Sequence, residues 1–339
     1  MPGEAGRETV LDGVSFIVTL FNKRPYLPLM LDYLRRQRGP FPREFIFVDD
    51  GSSDGSPDFV AEVTRDWTDP VIVLRQANRG ASAATNSGAA RASHRWLKLV
   101  DGDDLLLPGA TRRLIEAAEA FHQDFAYGDL GYYRPDDPPP RDREFPCAPV
   151  EGAFDGLARF IHSCPANSSS ILVSARRYRE AGGCDERIGF PDPPLFLRLF
   201  ARGGGAHVAG PVALVPELAP GRLSLQVSRG YYEWGLALYY LVTETPDLDP
   251  KHARLAYRRA LSRAYRLQQG RFGRLWTRHF LRLARSWLDP AIHPEAMYEA
   301  LSAFTANGSS ERPAEWRVGP LAATSVRRAD REAQGAWRT

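Results

Sequence analysis

The sequence predicts an α/β fold: a mostly parallel sheet flanked by helices, followed by a helical C-terminal appendage. Two observations carry this expectation. From Val14 to about Tyr133 short apolar runs alternate with segments of helical period, the signature of βαβ units. Two acidic clusters, Asp49-Asp50-Gly51-Ser52 and Asp101-Gly102-Asp103-Asp104, each follow such a run directly, where the carboxyl ends of parallel strands open onto a ligand crevice. Strands are expected at 14–20, 45–48, 71–74 and 96–100, with helices at 26–36, 57–66, 81–93 and 109–121, the second and last opened by proline. Arg134 to Pro140 holds four prolines and reads as an exposed loop. Residues 152–216 read as a mixed second half, with strands at 169–174 and 212–215 and a helix at 194–201. Beyond about 225 the chain is helical and Arg-rich, and after Thr305 it is polar and breaker-rich, a composition expected to be disordered.

Composition narrows the classes. With 339 residues, 43% hydrophobic and 25% charged, the chain can bury a sizeable core. A net charge of +3 gives no global case for nucleic acid. Cys147, Cys164 and Cys184 are odd in number and lack metal-ligand spacing, so neither a disulfide framework nor a zinc site is expected, and a cytoplasmic setting is. Met1 to Gly13 lacks an apolar signal core, and no stretch approaches the roughly 20 apolar residues of a membrane span.

The acidic clusters carry the chemistry. An isolated Asp-Gly-Ser is ordinarily a capped glycine turn, but a doubled Asp at a strand end needs a compensating donor or cation. A carboxylate there suits the ring N–H of uracil or another base. Three carboxylates within 101–104 repel one another, and a dication bridging to diphosphate oxygens relieves that repulsion. Mg²⁺ or Mn²⁺ fits, because such ions use few carboxylates and leave positions for substrate phosphates. Between the clusters, Asn78 to Ala90 is rich in Ala, Ser and Gly. This stretch predicts a small-residue helix packed closely on the sheet, with its N-terminus lending positive potential to a phosphate. Pro220 to Ser224 reads as a mobile loop closing over the donor, with Arg222 reaching phosphate.

The order Thr19-Leu20-Phe21-Asn22-Lys23, Asp49 to Gly55, Asn78-Arg79-Gly80, Asn86-Ser87-Gly88 and Asp101-Gly102-Asp103-Asp104 resembles family 2 glycosyltransferases of the GT-A, Rossmann-like fold. The likeness spans about Val14 to Pro108, with a weaker continuation through Ala181 to Glu186 and Asp192 to Leu199. It implies an inverting, metal-dependent transferase that moves sugar from a nucleoside-diphosphate sugar, with UDP favoured, to a carbohydrate, lipid-linked or other hydroxyl acceptor in polysaccharide or glycoconjugate assembly. By the same likeness Thr19, Phe21 and Asn22 line the nucleoside pocket and Asp50 reads the base. Asp49, Asn78, Gly80 and Asn86 fall within the matched donor motifs, Asp101 sits near the ribose and metal, and Asp103 holds the metal. Asp192 takes the place of the general base, although Asp before Pro193 is also a good helix N-cap. Asp185 and Glu186 are lesser candidates for the base. Departures from the family pattern are Pro191, Pro194 and Thr85, the last standing where relatives place Arg; Lys98 or Arg79 would have to compensate.

Two rival readings stay open: a noncatalytic nucleotide-sugar-binding scaffold, and a nucleotidyltransferase, which would release pyrophosphate. The expected organisation is a disordered 1–13, a GT-A domain over 14–220 (nucleotide-binding half 14–108, acceptor half 109–220), helices over 221–305 and a disordered tail over 306–339. From Lys251 to Ser286 there are ten arginines, one lysine and no acid. Arg271, Arg274, Arg278, Arg282 and Arg285 form one stripe, with Trp276, Phe280, Leu283 and Trp287 roughly opposite. This pattern fits an amphipathic helix whose aromatic face packs on the core, or a peripheral contact with the inner face of a membrane.

Overall fold

The computed structural model describes residues 12–139, 148–150, 156–217, 227–272, 277–305 and 308–316. Among them nine strands form one sheet, in the order β3-β2-β1-β4-β8-β6-β9-β5, with β7 also on β9. The nucleotide-side strands are β1 (Val14–Leu20), β2 (Arg43–Asp49), β3 (Val71–Arg75) and β4 (Trp96–Asp101). All their mutual pairings are parallel. Helices α1 (Leu27–Arg35), α2 (Ser56–Val63) and α3 (Ala81–Arg91) connect them, each within a few residues of its expected span. The chain winds from β1 out to β3 and then crosses back to place β4 on the other side of β1. That reversal makes the carboxyl ends of β1 and β4 the topological switch point, where an open α/β sheet leaves its crevice.

Beyond β4 the sheet is mixed, with antiparallel as well as parallel neighbours. The short β5 (Leu105–Leu106) leads into α4 (Ala110–Ala120) and the long β6 (Phe125–Tyr133). After β7 (Ala148–Val150) and α5 (Gly156–His162), a 3-10 turn at Ser168–Ser170 opens β8 (Ile171–Ser174), so the strand expected from Ser169 begins two residues later. β8 runs antiparallel to both β4 and β6. Then follow α6 (Ala175–Glu180), α7 (Asp192–Ala201) and β9 (Ala206–Pro216), which is far longer than the segment expected at 212–215. Helices α8 (Val227–Glu244), α9 (Pro250–Phe272), α10 (Arg278–Leu288) and α11 (Pro294–Ala300) complete the described chain.

Strand alternation sorts the core into two layers. Phe16, Val18, Phe45, Phe47, Trp96 and Val100 pack with α1, α2 and α4 on one face. Ile17, Leu97, Leu99, Phe125 and Tyr127 pack on the other face with α5, α7, α8, α9 and α11. The C-terminal helices therefore share one hydrophobic core with the sheet rather than standing apart from it. Helix α3 lies close on β1 and β2 because its residues are small: a Cβ on Gly88 would sit 2.4 Å from Ile17 Cγ2. Arg134 to Pro138 is exposed, as expected of the proline cluster. In the region expected to be disordered, residues 308–316 instead pack on the body. Trp316 meets Tyr232 edge-on, and the Arg312 guanidinium donates to the Arg187 carbonyl. The rest of that tail, residues 1–11 and Arg222 lie outside the described residues.

Candidate active site

The loops after β1 and β2 are zipped together by the side chains of the first acidic motif. The Asn22 and Lys23 backbone N–H groups donate to Ser52 Oγ (2.9 Å) and Ser56 Oγ (3.0 Å), and Arg24 N–H donates to Asp54 Oδ2 (2.9 Å). Asn22 takes a left-handed backbone, φ 52°, which Asn tolerates better than most residues, and its Oδ1 accepts from Ser53 N–H at 2.9 Å. Phe21 is held open at the mouth, 47% exposed. Thr19, next to the last residue of β1, lies opposite Asp101, and its carbonyl accepts from Gly102 N–H at 3.0 Å. Gly102 admits no side chain, since a Cβ would lie 2.8 Å from that same carbonyl oxygen.

Asp49 and Asp50 diverge. Asp49 is buried and its Oδ2 receives Ser52 N–H at 3.2 Å. Asp50 faces the turn between β3 and α3, accepting from Gln76 Nε2 (2.8 Å), Arg79 N–H (2.8 Å) and Gly80 N–H (2.7 Å). A carboxylate offers about four lone-pair sites, so one acceptor position on Asp50 remains for a base N–H. Asp50 thus takes the N–H groups of Arg79 and of Gly80, the residues that lead into α3. Gly80 serves the turn with φ 90°. Asn78 is exposed beside Gly51.

The role expected of Asn86 is corrected. Its amide donates to the Cys184 carbonyl and Glu186 Oε1, both at 3.0 Å, and its Oδ1 accepts from Tyr178 Oη (2.7 Å) and Cys184 N–H (3.0 Å). Those four bonds use its whole capacity, so it ties α3 to the acceptor-side loop and does not reach a donor. Thr85 is buried and back-bonds to Ala81. Arg79 pairs with Glu186 at 2.7 Å.

The second acidic motif is where carboxylates meet. Asp103 Oδ2 lies 2.7 Å from Lys23 Nζ, and the fully buried Asp104 accepts from Asn167 Nδ2 at 2.8 Å. Burial, followed by the charges of Asp104, Asp192 and Asp103, raises the Asp101 carboxyl well above the usual carboxylate range. That shift places Asp192, distant in sequence, within electrostatic reach of the cluster. Asp192 does not cap its own helix: α7 begins at Asp192 itself, with Pro191 at the N-cap and no side-chain cap. Instead its Oδ1 accepts from Ser168 N–H (2.8 Å) and Ser168 Oγ (2.6 Å) across the crevice.

The lesser candidates for the base are engaged elsewhere. Burial would raise Asp185, but hydrogen bonds and charge from Arg187 and Arg198 outweigh it and hold the carboxyl below its ordinary range. Glu186 is clamped by Arg79 and Asn86. A cavity of about 270 Å³ lies between α7 and α8, lined by Asp185, Arg198, Tyr240 and Glu244. Its charged groups are largely paired with one another or with Arg187.

Sequence reasoning missed the turn Asn167-Ser168-Ser169-Ser170 and the residue beneath it. Asn167 holds Asp104, Ser168 holds Asp192, and Ser169 Oγ accepts the Asp101 N–H at 2.9 Å. Under the turn, Lys98 is fully buried and donates to the carbonyls of Ser169 (2.6 Å) and Leu99 (2.9 Å). Burial pushes its ammonium down to about 7 against the pull of Asp104 and Asp101. Lys98 is therefore an internal countercharge and cannot supply the phosphate contact expected of it. The only signals were a charged residue in mid-strand and three consecutive serines ahead of β8.

Among the described residues no three His, Cys, Asp or Glu side chains form a preformed metal cage. The donor set instead suits a hard cation held by one or two carboxylates, Asp103 and Asp101, with ligand oxygens completing the shell. The surplus negative charge that raises Asp101 supports this fit. A proton retained by Asp101 competes with the cation, so the rise in Tm on adding Mn²⁺ should grow as pH rises above the ordinary carboxylate range. A Mn²⁺ shift that stays flat with pH in thermal melts would remove Asp101 from the ligand set.

Comparison with known proteins agrees with this geometry. The family model described as glycosyl transferase family 2 matches residues 15–169. That matched domain covers a little under half of the chain. The domain is 32% identical over 119 residues to the succinoglycan biosynthesis protein ExoO of Rhizobium meliloti, covering 34% of this chain and 33% of that protein. It is 34% identical over 124 residues to the uncharacterized glycosyltransferase EpsJ of Bacillus subtilis, covering 36% and 34%. These matches span about a third of the length of each relative. A fragment of S. aureus TarS, solved in complex with UDP-GlcNAc, superposes with a TM-score of 0.59 at 14% identity, covering 86% of this chain and 84% of that one. The protein thus adopts the GT-A fold.

Proposed function

We propose that the protein moves a sugar from a nucleoside-diphosphate sugar, with UDP favoured, to a hydroxyl acceptor with inversion at the anomeric carbon, in polysaccharide or glycoconjugate assembly. The observation that carries this reading is the convergence of Asp101, Asp103 and Asp104 with Asp192 at the switch point of a family 2 domain. The acceptor position left on Asp50 and the exposed ring of Phe21 suit a base. The UDP-GlcNAc complex of TarS and the polysaccharide role in ExoO's name favour the same donor and setting.

In this reading Asp192, held in place by two donors from Ser168, takes the proton of the acceptor hydroxyl as the new C–O bond forms. The old anomeric C–O bond breaks to the diphosphate, which leaves with the nucleoside. Mg²⁺ or Mn²⁺ held by Asp103 and Asp101 would neutralise charge developing on the departing diphosphate. Lys23, beside Asp103, adds positive charge to the same mouth.

The test is a panel of UDP-, GDP- and dTDP-sugars with Mn²⁺, read first as thermal stabilisation and then by product analysis. A nucleoside diphosphate as product supports transfer. Pyrophosphate would point to nucleotidyl transfer, and donor binding without turnover in the presence of acceptors would point to a noncatalytic module. Stabilisation by none of the donors would defeat the proposal.

A further inference from the structure

Helix α10 is folded with its polar residues inward. Its fully buried side chains are His279 and Ser286, while Leu281 is 63%, Trp287 67% and Leu288 88% exposed. A soluble helix ordinarily turns its largest apolar residues to the core. The arrangement also corrects the expected packing of Trp287. Leu283 does pack against the core and Phe280 lies against Tyr265, but Trp287 stands in solvent with the Arg258 guanidinium 4.1 Å over its ring.

Leu281, Arg285 and Leu288 recur at spacings of four and three and so share one face, with Trp287 beside them. Arg285 is 71% exposed there, with Asp289 at 3.5 Å, and Arg282 is taken up by Glu299. Across Lys251 to Ser286 the chain has eleven basic residues and no acid. With Arg285 exposed on the face and Arg258 over the Trp287 ring, this Leu/Trp surface bordered by guanidinium groups matches the boundary between anionic headgroups and acyl chains. Among the described residues no helix is long and apolar enough to cross a membrane, so the contact is peripheral.

We propose that this face of α10 docks on an anionic lipid surface, with Leu281, Trp287 and Leu288 entering the headgroup boundary and Arg285 and Arg258 meeting the headgroups. The proposal does not rest on the transferase reading. The test is flotation of the full chain with vesicles of phosphatidylcholine alone, or mixed with phosphatidylglycerol, at about 0.1 M salt. The wild-type chain should float with the anionic vesicles only. The combined variant Leu281→Ser, Trp287→Ser, Leu288→Ser, and separately Arg285→Glu, should each lower the bound fraction with unchanged melting. A blue shift of tryptophan fluorescence on adding anionic vesicles to the wild-type chain supports the same docking should the triple variant fold poorly. No flotation with anionic vesicles, or binding that survives the triple substitution, overturns the proposal. So does lipid-free dimerisation in sedimentation velocity that the triple substitution abolishes, which would make the face a contact between copies.

Discussion

Replacing Asp192 with Asn should lower turnover by about 10²- to 10⁴-fold while leaving the donor KM nearly unchanged, because a positioned base acts in the transition state rather than in donor binding. The amide keeps the shape of the side chain and an oxygen that can still accept from Ser168, which contributes both its N–H and its hydroxyl. What the variant loses is the ability to accept the acceptor's proton. Steady-state kinetics on the donor and acceptor found in the screen would decide the matter. A variant with wild-type kcat, or one whose whole defect lies in donor KM, would take the base role away from Asp192.

Replacing Lys98 with Met should destabilise the fold and impair turnover together. The ammonium holds the Ser169 and Leu99 carbonyls, and leaving them unpaired costs about 1–3 kcal/mol each. Relief from burying a cation returns part of that. A net loss of about 1–4 kcal/mol is expected, seen as a lower denaturant midpoint at unchanged slope. The loosened turn would also release Asp192 and Asp104, which depend on Ser168 and Asn167. The pH dependence has a definite sign. With the folded ammonium lowered from 10.5 to about 7, the unfolded chain binds the extra proton between those values. The stability that Lys98 contributes is thus fully present above about pH 10.5 and is lost as pH falls to about 7. The gap in stability between wild type and Lys98→Met should therefore widen as pH rises through that window. An unchanged midpoint and a gap independent of pH would show that Lys98 is a passive core residue.

Much of the nucleotide half was legible because its periods are clean. The alternation of Phe16, Val18, Phe45 and Phe47 with Ile17, Ile46 and Val48 marks strands covered on both faces, and α1 to α4 follow from apolar spacing and opening prolines. The second half was harder. Gly128 and Gly131 interrupt β6, where a Cβ would collide with Val212 and Leu214 of β9, so a long strand reads as a broken one. Two prolines at 193 and 194 made Asp192 look like a cap, yet the helix starts one residue earlier and frees the carboxylate for Ser168. Asp50 and Asn86 stand out in the sequence as polar groups within the matched motifs. Local sequence could not show that the β3–α3 turn and the acceptor loop had already claimed them. Periodicity likewise joined Arg271, Arg274, Arg278, Arg282 and Arg285 in one stripe, whereas Arg271 falls at the end of α9, Arg274 and Trp276 lie outside the described residues, and only the last three arginines share α10.

The knot around Asn86, Arg79 and Glu186 bears on what can be cut away from this chain. Residues 15–169 are the part matched to the family, but α3 inside that part is tied to Cys184 and Glu186 outside it. Ile17, Leu97 and Leu99 in β1 and β4 are covered by α7 and the C-terminal helices, and β4 takes β8 as its neighbour. A truncation at the family boundary would strip a sheet edge and half a core at once. The minimal folding unit therefore extends through α11, because the sheet and the C-terminal helices share one core.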